Sequence, residues 1–259
     1  MRARAILTFR ILAFAGAISA LLFAGCASKP PAGGPGTYRG VIVNSVDIGS
    51  LEVTVGEASS SPLPASGTIN LGGATVSLFG TLDRSNTKLL LSSTDGYQLD
   101  GDSRPAYVFG SFSSPQDKGS FALFLEDANS GPIRNFCGSF VWTSPANPPS
   151  PFAVAATSSG SAMCVGPNFM WFGNLDAHDS LSCEGAGNDL AIGNLDVDAG
   201  NNWGTGNEYG SWTVAPCGAG AADAPDGGSG SAANRPGPVT RPSTSPGRSP
   251  GSLAQAAAV

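Results

Sequence analysis

A block of eighteen residues occurs twice in this chain. Residues 66–83 read SGTINLGGATVSLFGTLD and residues 159–176 read SGSAMCVGPNFMWFGNLD. Laid side by side without a gap, at an offset of 93, they share Ser66/Ser159, Gly67/Gly160, Gly73/Gly166, Phe79/Phe172, Gly80/Gly173, Leu82/Leu175 and Asp83/Asp176. Leu71 then falls opposite Cys164, and Leu78 opposite Trp171. Further anchors keep the same order around the block. Phe136-Cys137-Gly138 echoes Tyr38-Arg39-Gly40, Gly193 answers Gly101 at offset 92, and Gly210-Ser211-Trp212 answers Gly119-Ser120-Phe121 at offset 91. Offsets that drift by single residues while order is kept imply one unit duplicated, with loops that changed length. Whatever fold the chain takes, it takes twice, over 37–127 and 128–217.

The unit reads as short strands broken by frequent turn signals, with no sustained helical period outside the first 25 residues. Tyr38–Val43 is rich in β-branched residues, and Leu51, Val53 and Val55 alternate with polar partners. Thr68–Leu71 passes through Gly72-Gly73 into Thr75–Phe79 as a hairpin. Lys88–Ser92, Gly96–Asp100, Tyr107–Phe112 and Ser120–Leu125 complete the set. The expected class is all-β: duplicated antiparallel meanders that hide their edges as two small barrels, or as one larger barrel or sandwich.

The two ends of the chain have a different character. Residues 1–25 combine Arg2, Arg4 and Arg10 with an apolar run from Ile11 to Gly25, the pattern of a secretory signal peptide, too short to span a bilayer. Leu22-Phe23-Ala24-Gly25-Cys26 resembles a bacterial lipobox, with Phe23 where leucine is usual. The resemblance implies cleavage before Cys26, lipid (palmitate among it) on that cysteine, and a protein held to the membrane by its acyl chains. Ala27 stands where, in such lipoproteins, an aspartate signals inner-membrane retention, which implies the bacterial outer membrane. Residues 26–36 then read as a lipid-anchored tether. Residues 218–259, dominated by Gly, Ala, Ser and Pro, read as a disordered low-complexity tail. The body loosely resembles Gly- and Thr-rich β-barrel lipoproteins of the bacterial envelope, in texture only.

Between the ends the chain is acidic. Residues 37–217 hold six Lys or Arg against seventeen Asp or Glu, and from Asn135 to Cys217 there are seven acids and no Lys or Arg. Nucleic-acid binding needs a basic footprint and is excluded. Apart from Cys26, the cysteines are Cys137, Cys164, Cys183 and Cys217, an even number in the second unit, so disulfides are expected in an oxidising compartment. Four cysteines allow three connectivities. If the first and last strands of the unit are neighbours, Cys137 meets Cys217, leaving Cys164 with Cys183 across an intervening strand. No pair has the spacing of a zinc site.

Candidate chemistry is sparse. The one histidine, His178, lies in Leu175-Asp176-Ala177-His178-Asp179-Ser180, without a nucleophile-elbow motif nearby. It supports a hydrolase only as an alternative reading. Asp196, Asp198 and Asn201 alternate along an acidic loop that could offer oxygens to calcium, although the full calcium-loop pattern is incomplete. No other cofactor is implied. All four tryptophans, Trp142, Trp171, Trp203 and Trp212, lie in the second unit. Trp171 and Trp212 read as core, and Trp203, flanked by Asn201, Asn202 and Gly204, reads as a loop residue placed for ligand contact. The expectation is a lipid-anchored, non-catalytic binding or structural module of the envelope. Its partner would be an envelope protein or glycan, met through the second unit.

Overall fold

The computed structural model describes residues 31–144, 146–185, 189–195, 199–203 and 209–217. The strands of the first unit are β1 (Gly36–Asn44), β2 (Ile48–Val55), β3 (Leu63–Leu71), β4 (Ala74–Asp83), β5 (Lys88–Ser92), β6 (Gln98–Ser103), β7 (Tyr107–Ser113) and β8 (Lys118–Leu125). Those of the second are β9 (Arg134–Ser144), β10 (Ser150–Ala156), β11 (Ser161–Gly166), β12 (Phe169–Leu175), β13 (Ser180–Glu184), β14 (Leu190–Asn194), β15 (Ala199–Trp203) and β16 (Tyr209–Pro216). Each set is an antiparallel meander whose last strand pairs back onto its first, so the chain forms two closed barrels rather than one body. Closure leaves no open sheet edge in either. The sixth strand starts at Gln98, two residues later than its sequence suggests. Gly96 sits in the preceding turn at a φ of 87°, which a glycine adopts freely.

Inward residues alternate along the strands, and an eight-stranded barrel is narrow enough for them to fill it. Ile42, Leu51, Val53, Ile69, Leu78, Leu89 and Phe121 are among those packed inside the first barrel. Phe140, Phe152, Trp171, Leu181 and Trp212 are among those inside the second.

Pairing registers allow the two barrels to be compared residue by residue. Gly80 lies opposite Leu91, and Gly173 opposite Cys183. Stepping from there, Leu99 answers Ala191, Phe112 answers Asn202, and Gly119 answers Gly210. Further round, Ile42 answers Phe140, Leu51 answers Phe152, and Gly67 answers Cys164. The last step returns to Leu78 and Trp171 with no slip, so both barrels close with the same stagger.

This register corrects half of the repeated block. The β4/β12 half is equivalent: Phe79/Phe172, Gly80/Gly173, Leu82/Leu175 and Asp83/Asp176. The β3/β11 half is not, because six residues (70–75) link Ile69 to Val76 where two (167–168) link Gly166 to Phe169. The partner of Cys164 is Gly67, not Leu71.

The register also explains why two pairs of echoes travel together. Gly101 and Phe121 are one contact in space, as are Gly193 and Trp212. A Cβ on Gly101 would lie 2.8 Å from Phe121 Cζ, and one on Gly193 would lie 2.4 Å from Trp212 Cζ2. The large ring needs the bare backbone beneath it. At Gly40 and Gly138 a Cβ would stand 1.9 and 1.8 Å from a carbonyl oxygen of the closing strand, Ala122 and Thr213 respectively. There the strands approach too tightly for any side chain.

Both disulfides lie in the second barrel. Cys137–Cys217 has Cα atoms 5.1 Å apart and joins β9 to the end of β16. In the first barrel the equivalent positions are Arg39 and Glu126, which form an ion pair at 2.7 Å. Cys164–Cys183, with Cα atoms 6.2 Å apart, is wholly buried and links β11 to β13 over the middle strand β12. Gly173 makes that crossing possible: a Cβ there would meet Cys183 Sγ at 2.7 Å.

The barrels pack side by side. Val41, Val43, Ala122 and Phe124 on the outside of β1 and β8 meet Ala153, Ala155, Met163 and Val165 on the outside of β10 and β11. Phe172 adds its ring to Tyr107 and Phe109, at centroid distances of 5.4 and 5.2 Å. Asn135 Nδ2 donates to the Gly40 carbonyl at 3.1 Å. The contact is unsymmetrical. The equivalent faces are polar or sparse: Glu52, Thr54, Ser66 and Thr68 on one side, Ser139, Val141, Thr213 and Ala215 on the other.

The stretch read as a tether is tied down where it reaches the first barrel. Gly33 N–H donates to Ser103 Oγ at 3.0 Å, while Gly34 N–H donates to Tyr38 Oη and its carbonyl accepts from the same hydroxyl. Tyr38 and Ser103 are buried polar groups at one end of the barrel, and this backbone supplies their partners. Burial raises the Tyr38 phenol above its ordinary pKa, with the hydrogen bond to Gly34 opposing it.

Four stability outcomes follow from the packing. Replacing Cys137 and Cys217 with Ala frees a loop with a sequence separation of 80 and should cost the second barrel about 4 kcal/mol in urea denaturation. Arg39→Ala, at the equivalent place, should cost less than about 1 kcal/mol, since its ion pair is solvent-exposed. Gly193→Ala should destabilise by about 3 kcal/mol through overpacking against Trp212. Gly34→Ala, where a Cβ meets nothing within 4 Å, should leave the midpoint unmoved.

Candidate binding site

The turns that carry the acids come first, because a catalytic reading depends on them. Asp176 follows β12 and points its carboxylate back at its own turn. Oδ1 accepts from the backbone N–H of His178 at 2.8 Å and of Ser180 at 2.9 Å. Those bonds, Ser180 first, hold its pKa below the ordinary carboxylate value. Asp179 sits at a φ of 56° and ion-pairs with Arg134 at 2.5 Å. His178 is exposed, and its imidazole makes no hydrogen bond among the described residues. Asp176, His178 and Ser180 therefore build a turn in which the carboxylate serves the backbone. The equivalent Asp83 does the same, accepting from Ser85 Oγ at 2.6 Å and Asn86 Nδ2 at 2.7 Å. The Leu-Asp pair shared by both copies is thus a core leucine followed by a turn-forming aspartate.

The calcium reading falls mostly outside the described residues, where Asp196 and Asp198 lie. Asn201 is on β15, paired with Ile192 and Ser211. Among the described residues no three His, Cys, Asp or Glu side chains stand close enough to share a metal ion.

The aromatic residues gather at one end of the second barrel, where β9 ends and β12 begins. Phe169 stacks on Trp171 with centroids 4.4 Å apart. Phe140 meets Trp142 edge-on at 5.7 Å and Phe169 at 5.4 Å. Phe152 lies 5.7 Å from Trp212. Trp171 and Trp212 are buried in the core, while Trp142 and Phe169 are partly exposed at the rim. Tyr209 is 50 % exposed beside them. Trp203 is not in a loop: it ends β15, held by pairing with Leu190 and Tyr209, which places it at the same rim. The first barrel has only aliphatic residues and one asparagine at many of these places: Val76 for Phe169, Leu78 for Trp171, Leu51 for Phe152, Asn44 for Trp142.

Asn202 lies on β15 opposite Gly210, two strand positions from Gly200, and is 2 % exposed. Neither its Oδ1 nor its Nδ2 has a hydrogen-bond partner among the described residues. Asn202 and Trp142 are the residues that sequence reasoning missed. Counting two residues on from the Gly200 partner of Trp212 would have put Asn202 where the first barrel has Phe112, an inward apolar position.

A second surface is a groove of ≈ 510 Å³ on the first barrel. Phe79 and Leu90, 62 % and 49 % exposed, line it together with Asp100, Lys118 and the Pro167–Asn168 turn. It contains no buried polar group without a partner among the described residues. Compared with protein-family models, with curated proteins and with solved structures, the chain matches none.

The Asp83 turn yields a pH outcome. Hydrogen bonds from Ser85 and then Asn86 lower its pKa from 3.8 to about 2. Stability from this turn is therefore present above the unfolded carboxylate's pKa and is lost as pH falls through about 2. A carboxyl-carbon NMR titration should give that midpoint, and Asp83→Ala should flatten the stability profile across this window.

Proposed function

We propose that this chain is an exported, lipid-anchored envelope protein and a non-catalytic binding module, with a neutral glycan as partner at the aromatic end of its second barrel. The observation that carries the reading is the contrast between copies. At equivalent positions of one fold, Ile42, Leu51, Val76 and Leu78 of the first barrel are replaced in the second by Phe140, Phe152, Phe169 and Trp171, a ring cluster that reaches the rim, and Phe112 is replaced by the amide of Asn202. Flat rings at a rim suit the apolar faces of sugars, and the second unit, acidic with Arg134 as its single Lys or Arg, disfavours anions. The disulfides support an oxidising compartment, in keeping with the signal-like residues 1–25 and with Cys26 as the lipidated residue of an outer-membrane protein. Residues 218–259 form the low-complexity tail in this reading.

Sedimentation with purified cell-wall glycan fragments tests the contact. Trp142→Ala should weaken co-sedimentation about tenfold, on the order of one hot-spot residue, while Phe79→Ala in the groove should not change it. The reverse pattern would move the contact to the first barrel, and no sedimentation of the unaltered chain would remove the glycan. Labelled palmitate should enter the chain and be lost in Cys26→Ala; equal labelling of both would sink the anchor.

A further inference from the structure

The interior of the second barrel holds two polar side chains that the fold leaves unserved. Asn202 is 2 % exposed and Trp212 is 1 % exposed. The amide oxygen and nitrogen of the one, and the indole N–H of the other, are all without partners among the described residues. Buried polar groups are normally paired, and an orphan in a packed interior calls for a water, a ligand or a functional role. At the equivalent places the first barrel has Phe112 and Phe121, so the fold itself needs neither polar group.

The two lie on neighbouring strands, Asn202 one inward position along from the Gly200 partner of Trp212. Trp212 lies over Gly200, with Cε2, the atom bonded to Nε1, 2.4 Å from where a Gly200 Cβ would be. Asn202 is the next inward residue of β15, roughly 7 Å along the strand from Gly200. Among the described residues the amide and the indole make no hydrogen bond to each other, and one oxygen placed between them would serve both. Trp212 Nε1 and Asn202 Nδ2 donate, and Asn202 Oδ1 accepts. A hydroxyl oxygen accepts twice and donates once, which completes all three. A carboxylate would leave Oδ1 facing negative charge, and a cation could not accept the indole proton.

We propose that Asn202 and Trp212 form a hydroxyl-binding site inside the aromatic end of the second barrel, for one hydroxyl of a neutral sugar or polyol, with water in its place between ligands. The proposal rests on the reading of that end as the contact surface. Phe140, Phe152 and Trp171 belong to the same core as Trp212, with Phe152 5.7 Å from its ring, so the hydroxyl would be held by direction and its carrier by stacking.

The test uses the mature chain and the indole N–H resonance of Trp212. In the free protein that proton should show a cross-peak to a long-lived water. N-acetylglucosamine trimer or glycerol should remove the cross-peak and shift the resonance. Asn202→Leu should weaken trimer binding at least tenfold without lowering the melting temperature, since it removes an unpaired amide. Trp212→Phe, the first barrel's residue, should weaken it similarly and fold. A resident water that no probe displaces overturns the proposal, as does an indole proton with neither water nor probe response. Trimer binding unchanged in Asn202→Leu but lost in Trp142→Ala overturns this site and leaves the rim contact standing. Trimer binding unchanged in all three variants removes both.

Discussion

Each barrel depends on one seam, where its first strand meets its last. A meander of antiparallel strands can grow hairpin by hairpin, but until β1 finds β8, or β9 finds β16, two edges stay open and the apolar face stays wet. The two copies reinforce the seam at the same place by different chemistry. Arg39 lies between Glu52 and Glu126 at 2.6 and 2.7 Å, whereas Cys137 and Cys217 are joined covalently. The backbone there is unchanged: Glu126 N–H donates to the Thr37 carbonyl, and Cys217 N–H to that of Asn135. A covalent seam limits how far the second barrel can open even when its interior changes. That barrel is the one with rings where the other has Ile42, Leu51, Val76 and Leu78, and a buried amide where the other has Phe112. The closure thus precedes the site physically: a core weakened by Asn202 is tolerable where the ends of the sheet are fastened.

The repeat was legible in the sequence because closely packed backbones need glycine. Gly40 and Gly138 mark strands too near for a side chain, and Gly101 and Gly193 mark rings lying on the chain. Such sites survive divergence, so they carry the fold's signal. The strand count, the class and the meander order could be read from them together with the alternation of apolar residues. What misled was the β3 hairpin. Its tip lost four residues between copies, and Gly73/Gly166 and Ser66/Ser159 fell into line by chance in a glycine-rich chain. Nothing local reveals a hairpin shortened equally on both strands; only the cross-strand register does.

The candidate site was less legible for a related reason. Asn202 and Trp203 stand between polar neighbours and a glycine, the composition of a loop. Strand pairing with Gly210 and Tyr209 overrides that composition. The inward direction of Asn202 comes from its place in the barrel. Likewise, Asp176 lies beside His178 in the sequence, yet it and Asp83 spend their carboxylates on backbone and side-chain donors of their own turns.

The contact between barrels has arithmetic built into it. Two like bodies that join unlike faces leave one complementary face free at each end, and a third body could always be added. Here the spare ends carry Glu52, Thr54, Ser66 and Thr68 on one side and Ser139 and Thr213 on the other. Phe79 alone keeps the ring that Phe172 uses for docking, now left in water. Among the described residues the apolar patch lies only on the inner pair of faces, so the contact that joins the two barrels is not repeated at either outer face.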